Sequence, residues 1–248
     1  MAHFSLFKEY VVYPFAKFGL TDPIWGINLH TILATWLVMG ILGLIILATS
    51  LTIKRENLLF RYLIFTFVKG FKELTVQSLG RFDFRHFSFI GSLFIFILAC
   101  NLIAIIPGVE EPTSDIMTTL GLAITAFLYT QISAIQMHGL LHYLQGYLKP
   151  FFVMAPLHVI SHLSSIISIS FRLFGNIFGG AVITGLWGAA STAHWLLVIP
   201  SIPISLIIMS FFLFFEGFIQ AFVFTMLSLT YLSLEVKTEA IESHEQEC

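Results

Sequence analysis

Charged residues are scarce in this sequence of 248 residues: they make up 10%, whereas hydrophobic residues make up 57%. A soluble domain usually contains about 25% charged residues and could not bury this much apolar surface, so a soluble globular protein is excluded. Disordered chains are rich in charge and poor in apolar residues, so disorder is excluded too. The net charge of −2 offers no basic face, and we expect no nucleic-acid partner.

Cysteine and polar–apolar alternation are also lacking. The two cysteines, Cys100 and Cys248, cannot form a disulfide scaffold, and Cys100 lies in an apolar run, where we expect a small buried side chain. A transmembrane β-barrel would show repeated alternation, but this sequence has long continuous apolar runs. The first 13 residues contain no long apolar region, so we expect no cleavable signal peptide. The sequence therefore predicts an all-α, polytopic membrane protein.

The apolar runs predict a single membrane domain, residues 1–248, with about five to six helices. Its predicted parts are an amphipathic interfacial segment (1–28), three spans (29–53, 87–107 and 116–137), two long apolar segments (151–187 and 196–234) and a polar tail (235–248). The long segments exceed the ~20 residues of a perpendicular span, so they must tilt, bend or lie partly in the membrane plane. We predict two strongly tilted helices that form a membrane hairpin.

Residues 56–84 predict a different element, an amphipathic helix on the membrane surface. Phe60, Leu63, Phe67 and Phe71 recur at helical spacing. Charged residues interrupt the apolar pattern, among them Arg61, Lys69, Lys72, Glu73 and Arg81. Seven of the twelve lysines and arginines fall within residues 54–85. The positive-inside rule therefore assigns this segment to the cytoplasm. The loop near Glu111 and Asp115 is acidic and is predicted to lie on the outer side.

Arg172 and Glu216 are the only two formally charged residues between positions 151 and 234. An ionisable residue at membrane depth costs about 2.5–3.5 kcal/mol on insertion scales, and such residues normally face the protein interior or a water path. An arginine keeps its proton, so Arg172 is a permanent cation. A snorkelling or structural arginine remains the alternative, as does a structural Glu216.

Polar residues flank both charges at helical spacing. His158, His162, Ser168 and Asn176 fall on one helix face with Arg172, and Gln220 follows Glu216 by one turn. Such a polar face can line a hydrated cavity, or it can form hydrogen bonds between membrane helices. The residues alone leave both alternatives open.

Four stretches, in order, resemble subunit a of rotary ATP synthases. The most specific is Ser168-Ile-Ser-Phe-Arg-Leu-Phe-Gly-Asn-Ile-Phe-Gly-Gly180, which resembles the family signature. The others are Asn101–Gly108, the outer-loop pattern Pro112-Thr113-x-Asp115-x-x-x-Thr119, and Gln220–Tyr231 in the final helix. The resemblance identifies the chain as a membrane stator subunit, acting beside a rotating ring of c subunits.

The resemblance also implies a mechanism and partners. Arg172 matches the family's essential arginine, which separates two aqueous half-channels, and Asn176 and Gln220 match its polar partners. The chain would couple ion flow to ring rotation and ATP synthesis, without catalytic residues, cofactor or metal of its own. The implied partners are the c ring, b-type peripheral stalk subunits, the rest of the complex, membrane lipid and the translocated H⁺, with Na⁺ as the alternative ion. The implied location is a bacterial cell inner membrane.

The sequence departs from the family at its ion-relay positions. An acidic residue is common in the family where this chain has Ser161-His162 or, one turn earlier, His158. The acid or histidine that often precedes the final-helix glutamine by seven residues is Leu213 here, and Glu216 lies three residues later. We therefore expect His162, His158 and Glu216 to take over the relay, with Asp115 and Glu111 in the outer-loop motif.

Two other functions fit parts of the sequence. His138/His142 and His158/His162 have the i, i+4 spacing of a metal site, as in a membrane di-iron oxidoreductase. Such enzymes need more histidines and a His-x-x-His-His box, which is absent. A secondary transporter would show an inverted repeat, but the two halves of this sequence are unlike.

Overall fold

The protein is almost entirely helical. The computed structural model describes residues 11–12, 27–52, 58–106, 109, 111–140, 143, 154–192 and 195–246. One short antiparallel pair, β1 (Val11–Val12) with β2 (Ile27–Asn28), precedes the first helix. The predicted all-α polytopic membrane fold is confirmed. Most of the predicted interfacial segment, residues 1–28, lies outside the described residues.

Seven α-helices follow one another along the described chain. They are α1 (Leu29–Thr52), α2 (Leu58–Leu79), α3 (Phe84–Leu102), α4 (Ile116–His138), α5 (Met154–Thr192), α6 (Trp195–Ser210) and α7 (Gly217–Gln246). Short 3₁₀ turns at Ile103–Ile105 and Pro112–Ser114 connect α3 to α4. The predicted polar tail, 235–248, therefore begins inside α7.

Five helical stretches of the described chain are long and apolar enough to cross a membrane. They are Leu29–Leu51, Phe84–Ile105, Ile116–Met137, Pro156–Thr192 and Val198–Val236. The last two contain 37 and 39 residues, respectively. At about 1.5 Å per residue each exceeds 50 Å, well beyond the ~30 Å hydrocarbon core. Neither of these two stretches can cross the membrane as a straight perpendicular helix.

Local signals explain where α2 ends and α3 begins. Gly80 has φ +76°, a left-handed conformation that glycine adopts without a side-chain clash, and its N–H donates to the Val76 carbonyl at 2.8 Å. Asp83 then caps α3, because its carboxylate accepts the Arg85 N–H at 2.8 Å. This backbone hydrogen bond lowers the pKa of Asp83 below its ordinary value.

A change of helical geometry marks the segment between α6 and α7. Pro200 and Pro203 lie inside α6, and each removes one backbone donor from the helix. Phe211–Glu216 then adopts π-helical geometry. This geometry is rare in proteins, and where it occurs it is often at a functional site. The π-helical segment ends at Glu216, which the sequence predicts as an ion-relay residue.

The chain divides into two compact units. The first contains residues 1–56, 96–115 and 177–219. Its core is a cluster of Val38, Cys100 and Ile103, against which Ile41 and Phe96 pack. Cys100 is buried there, as expected for a small apolar side chain.

The second unit contains residues 57–95, 116–176 and 220–248. Helix α2 packs on α3 through Phe67 and Phe71, whose ring centroids lie 5.9 and 4.9 Å from that of Phe94. Near the end of α2, the Ser233 hydroxyl of α7 donates to the Ser78 carbonyl at 2.5 Å. This bond satisfies one of the carbonyls that the end of a helix leaves unpaired.

Candidate functional site

The predicted polar face of α5 differs in exposure from residue to residue. Arg172, Ser168 and His158 are exposed, whereas His162 and Asn176 are half-buried. Within the described ranges, no residue forms an ion pair, hydrogen bond or ring contact with the Arg172 guanidinium. The positive charge of Arg172 is thus available to a group outside those ranges.

Asn176 and Gln220 are brought together. The Asn176 side-chain amide donates to Gln220 Oε1 at 2.7 Å, and Gln220 is only 3% exposed. The Gln220 Nε2 group is buried and has no hydrogen-bond partner among the described residues. A buried unpaired donor is uncommon in proteins and can bind a water or another acceptor. Since Asn176 follows Arg172 by one turn of α5, this amide pair lies next to the arginine along the helix.

Ser170, two residues from the predicted Ser168, forms the buried contact of this segment. Its hydroxyl lies 3.0 Å from Thr119 Oγ1 of α4, and both side chains are fully buried. Thr119 donates its own proton to the Ile116 carbonyl at 3.0 Å, so Ser170 is the donor to Thr119. This bond holds α5 against α4 two residues before Arg172.

His162 lines a cavity between α4, α5 and α7. Its Nε2 lies 3.6 Å from Glu235 Oε1, and the two side chains are 24% and 22% exposed. The cavity has a volume of about 160 Å³. Its polar lining residues are Thr130, Gln131, Ser161, His162, Ser165, Ser228, Tyr231 and Glu235. A single water needs only about 10–15 Å³, so several water molecules fit.

Glu111 and Glu216 form the acidic part of the first unit. Both side chains are half-buried, as is Asp115, which directly precedes α4. Burial, together with the nearby negative charge of Glu216, raises the pKa of Glu111 to about 7. The Glu111 carboxyl can therefore bind and release a proton near neutral pH.

Asn101 connects the outer loop to the start of α7. Its side-chain amide donates to the Gly217 carbonyl at 3.0 Å, and its Oδ1 accepts the Thr113 hydroxyl at 3.1 Å. Asn101 and Thr113 are buried. A Cβ on Gly217 would lie 3.2 Å from the Asn101 Cβ, so glycine permits this close approach. The network fixes the outer loop against Gly217, the residue that directly follows Glu216.

The His158/His162 pair gathers no further metal ligands among the described residues. In the part of the chain that the structure describes, no group of three or more His, Cys, Asp or Glu residues could hold a metal ion. His142 and the His138 side chain lie outside the described residues. The histidine-box hypothesis thus gains no support from the His158/His162 pair.

The sequence pattern does not predict two residues of this region, Glu235 and Ser170, as site residues. The sequence pattern places Glu235 in the polar tail, although 15 residues at 100° per residue place it within about 60° of Gln220 on the same helix face. The sequence pattern predicts Ser168 and not Ser170, because no spacing signal connects Ser170 with Thr119, which lies 51 residues away.

The comparisons with known proteins agree with the motifs. The sequence model of the ATP synthase A chain family matches residues 32–233. ATP synthase subunit a of Moorella thermoacetica is 32% identical over 82% of this chain and 88% of its own length. Subunit a 2 of Acaryochloris marina is 31% identical over 84% and 87%, and subunit a of Aliarcobacter butzleri is 33% identical over 87% and 90%, respectively. The chain therefore belongs to the ATP synthase A chain family, as a multi-pass membrane subunit of an ATP synthase complex that takes part in ion transport for ATP synthesis.

Proposed function

We propose that this chain is the ion-translocating stator of the membrane sector, with Arg172 between two aqueous half-channels that lead to a ring of c subunits. Each ring carboxylate exchanges its ion through one half-channel and passes Arg172 in the deprotonated form. Ion flow then turns the ring in one direction for ATP synthesis. The observation that carries this proposal is the exposed Arg172 guanidinium without a partner in the described chain.

The energetic argument starts from the cost of this cation. A charged residue at membrane depth costs about 2.5–3.5 kcal/mol, so it needs water or a counter-charge. A carboxylate about 4 Å away gains about 4 kcal/mol at an effective dielectric constant of 20, against about 1 kcal/mol in bulk water. Because Arg172 has no such partner within the described residues, a ring carboxylate is its natural counter-charge. The same fixed charge repels a proton that would pass directly between the half-channels.

Two groups of residues supply the half-channels. Residues 54–85 are cytoplasmic by the positive-inside rule, so α3 leads outward, α4 returns, and α5 begins on the cytoplasmic side. The cavity that contains His162 then belongs to the cytoplasmic half-channel, with His158 one turn closer to that side. Glu216, with Glu111 and Asp115 of the outer loop, belongs to the outer half-channel.

The partners and the location follow from the same role. We propose contacts with the c ring through the α5 face that carries Arg172 and Ser168, and with b-type peripheral stalk subunits that hold the stator still. The translocated ion is H⁺, with Na⁺ as the alternative, because ion choice depends mainly on ring residues. The three relatives described above come from bacteria, which supports the inner membrane of a bacterial cell as the location.

Ion pumping by the assembled complex tests the proposal. In inverted membrane vesicles, we expect Arg172→Ala to abolish ATP-driven ion uptake while the catalytic head still hydrolyses ATP. Passive ion flow through the membrane sector should continue or rise, because the barrier charge is gone. Arg61→Ala, which removes an exposed cation of α2, is the matched control and should pump like the wild type. Unchanged pumping by Arg172→Ala would show that the arginine is structural and would overturn the proposal.

A further inference from the structure

We infer that Glu235 and His162 form the ion-exchange pair of the cytoplasmic half-channel, with Glu235 of α7 as its carboxylate. The inference rests on the proposed function and assigns a role to a residue that no motif identifies. It also answers a question that the sequence raises, since α5 carries no acidic residue between Met154 and Thr192.

The geometry supports the pairing of these two side chains. Glu235 Oε1 and His162 Nε2 lie 3.6 Å apart, just beyond hydrogen-bond range, so a small side-chain rotation brings them into contact. The Phe127 ring of α4 lies with its centroid 5.5 Å from that of His162 and limits the positions that the imidazole can take. Both groups remain about a quarter exposed, so water reaches them.

The cavity extends from this pair towards the level of Arg172. It reaches from Glu235 and His162 to Ile169, which lies less than one turn of α5 before the arginine. The ten residues from His162 to Arg172 span about 15 Å of helix, a distance that a short chain of water molecules can bridge. Hydroxyls of Ser165 and Ser228 line the intervening wall and can bind those waters.

Among the described residues that line the cavity, Glu235 is the only acidic one. The polar groups that α4 contributes, Thr130 and Gln131, are neutral, and Gln131 Oε1 accepts a hydrogen bond from Tyr143. Tyr231 of α7 also lines the cavity, and His158 lies one turn before His162 on α5. Within the described part of the cavity, a proton that enters from the cytoplasm therefore meets one carboxylate beside an imidazole.

The pair can carry a proton in three balanced steps. The Glu235 carboxylate accepts a proton from a hydronium ion, which leaves as water. The carboxylic acid then gives this proton to His162 Nε2, which regenerates the carboxylate and forms an imidazolium. The imidazolium releases the proton to cavity water on the side of Arg172. This direction serves outward pumping, and the reverse sequence releases protons to the cytoplasm during ATP synthesis.

Removal and chemical restoration of the carboxylate test this role. Passive proton flow is measured through the membrane sector in inverted vesicles after removal of the catalytic head. General acid–base groups contribute about 100-fold or more to proton-transfer rates, so we expect Glu235→Gln to lower the flow at least about tenfold. In a Cys248→Ser background, Glu235→Cys should be equally slow. Iodoacetate, which adds a carboxylate to the thiol, should restore the flow, whereas iodoacetamide, which adds a neutral amide, should not.

Further variants control for the effect of labelling and test whether Glu235 and His162 act in the same proton path. Thr230→Cys, at an exposed position of α7 outside the cavity lining, should conduct like the wild type before and after either reagent. Cys100 is buried and should not react. Because His162 and Glu235 act in series, the double variant His162→Gln/Glu235→Gln should conduct no more slowly than Glu235→Gln alone.

Two results would overturn the inference. One is wild-type flow through Glu235→Gln, and the other is fully labelled, carboxymethylated Glu235→Cys that stays as slow as the amide-labelled protein. If Glu235→Gln does not assemble, the Glu235→Cys complex before and after labelling carries the test. The Arg172→Ala test is independent of this one. If Arg172→Ala abolishes ATP-driven pumping but Glu235→Gln conducts like the wild type, the Glu235–His162 pair is refuted and the proposed stator function is not.

Discussion

Asn101→Ala is expected to destabilise the first unit more than most single substitutions would. The variant removes the donor to the Gly217 carbonyl and the acceptor of the Thr113 hydroxyl, bonds of 3.0 and 3.1 Å. Both former partners stay in a buried site, where an unsatisfied polar group costs about 1–3 kcal/mol. We therefore expect a loss of about 2–4 kcal/mol in the free energy of unfolding, or roughly a 30- to 1,000-fold shift in the folding equilibrium.

A double-mutant cycle in mixed detergent micelles measures this network. Thr113→Val preserves the shape of Thr113 but removes its hydroxyl, so its effect and that of Asn101→Ala should be coupled by about 1 kcal/mol. Ser210→Ala, at an exposed position of the same unit, is the control and should stay within about 0.5 kcal/mol of the wild type. Equal effects of Asn101→Ala and Ser210→Ala, or strict additivity with Thr113→Val, would refute the reasoning.

Two further predictions concern groups outside the Arg172 face. The pKa of Glu111 rises from its ordinary value of 4.5 to about 7, so the folded state keeps this proton where the unfolded chain releases it. Stability should therefore fall as pH rises from about 4.5 to 7, and Glu111→Gln should flatten this slope in unfolding measurements across that range; an unchanged slope would contradict the assignment. Ser170→Ala removes the buried donor to Thr119 and should cost about 0.5–1.5 kcal/mol, whereas Ser168→Ala at an exposed position should cost less than about 0.5 kcal/mol. Equal losses in the two serine variants would show that the bond to Thr119 contributes nothing.

Much of the fold was predictable because the membrane restricts the choices of the chain. Where no water can pair the backbone, long apolar runs must be helices, so length and composition were enough to predict the polytopic all-α class. Local signals such as Gly80 and Asp83 explain one helix boundary each. The π-helical segment before Gly217 was not predictable, because no residue type within Phe211–Glu216 marks such a change of geometry in the sequence.

Part of the candidate site was likewise predictable from the sequence, and part became visible only in the structure. Arg172, Asn176 and Gln220 could be proposed as site residues because a string of specific residues carries the family resemblance, and the structure joins the two amides at 2.7 Å. Ser170 with Thr119, and His162 with Glu235, are pairs between helices that lie far apart in the sequence. Helical periodicity gives the face of each residue on its own helix, but not the height at which two helices meet. Such pairs become visible only when the packing of α4, α5 and α7 is known.

In the proposed pair the carboxylate lies on α7, whereas the family often has an acidic residue on α5, and both positions face the same cavity. Helices α5 and α7 meet at Asn176 and Gln220 and again at His162 and Glu235. From Asn176 back to His162 is 14 residues, and from Gln220 on to Glu235 is 15 residues, so the two helices run antiparallel with matched lengths of about 21–23 Å. A carboxylate on either helix at this height reaches the same cavity. The absence of an acid from α5 is therefore compatible with a working half-channel, provided that α7 supplies one at the facing position.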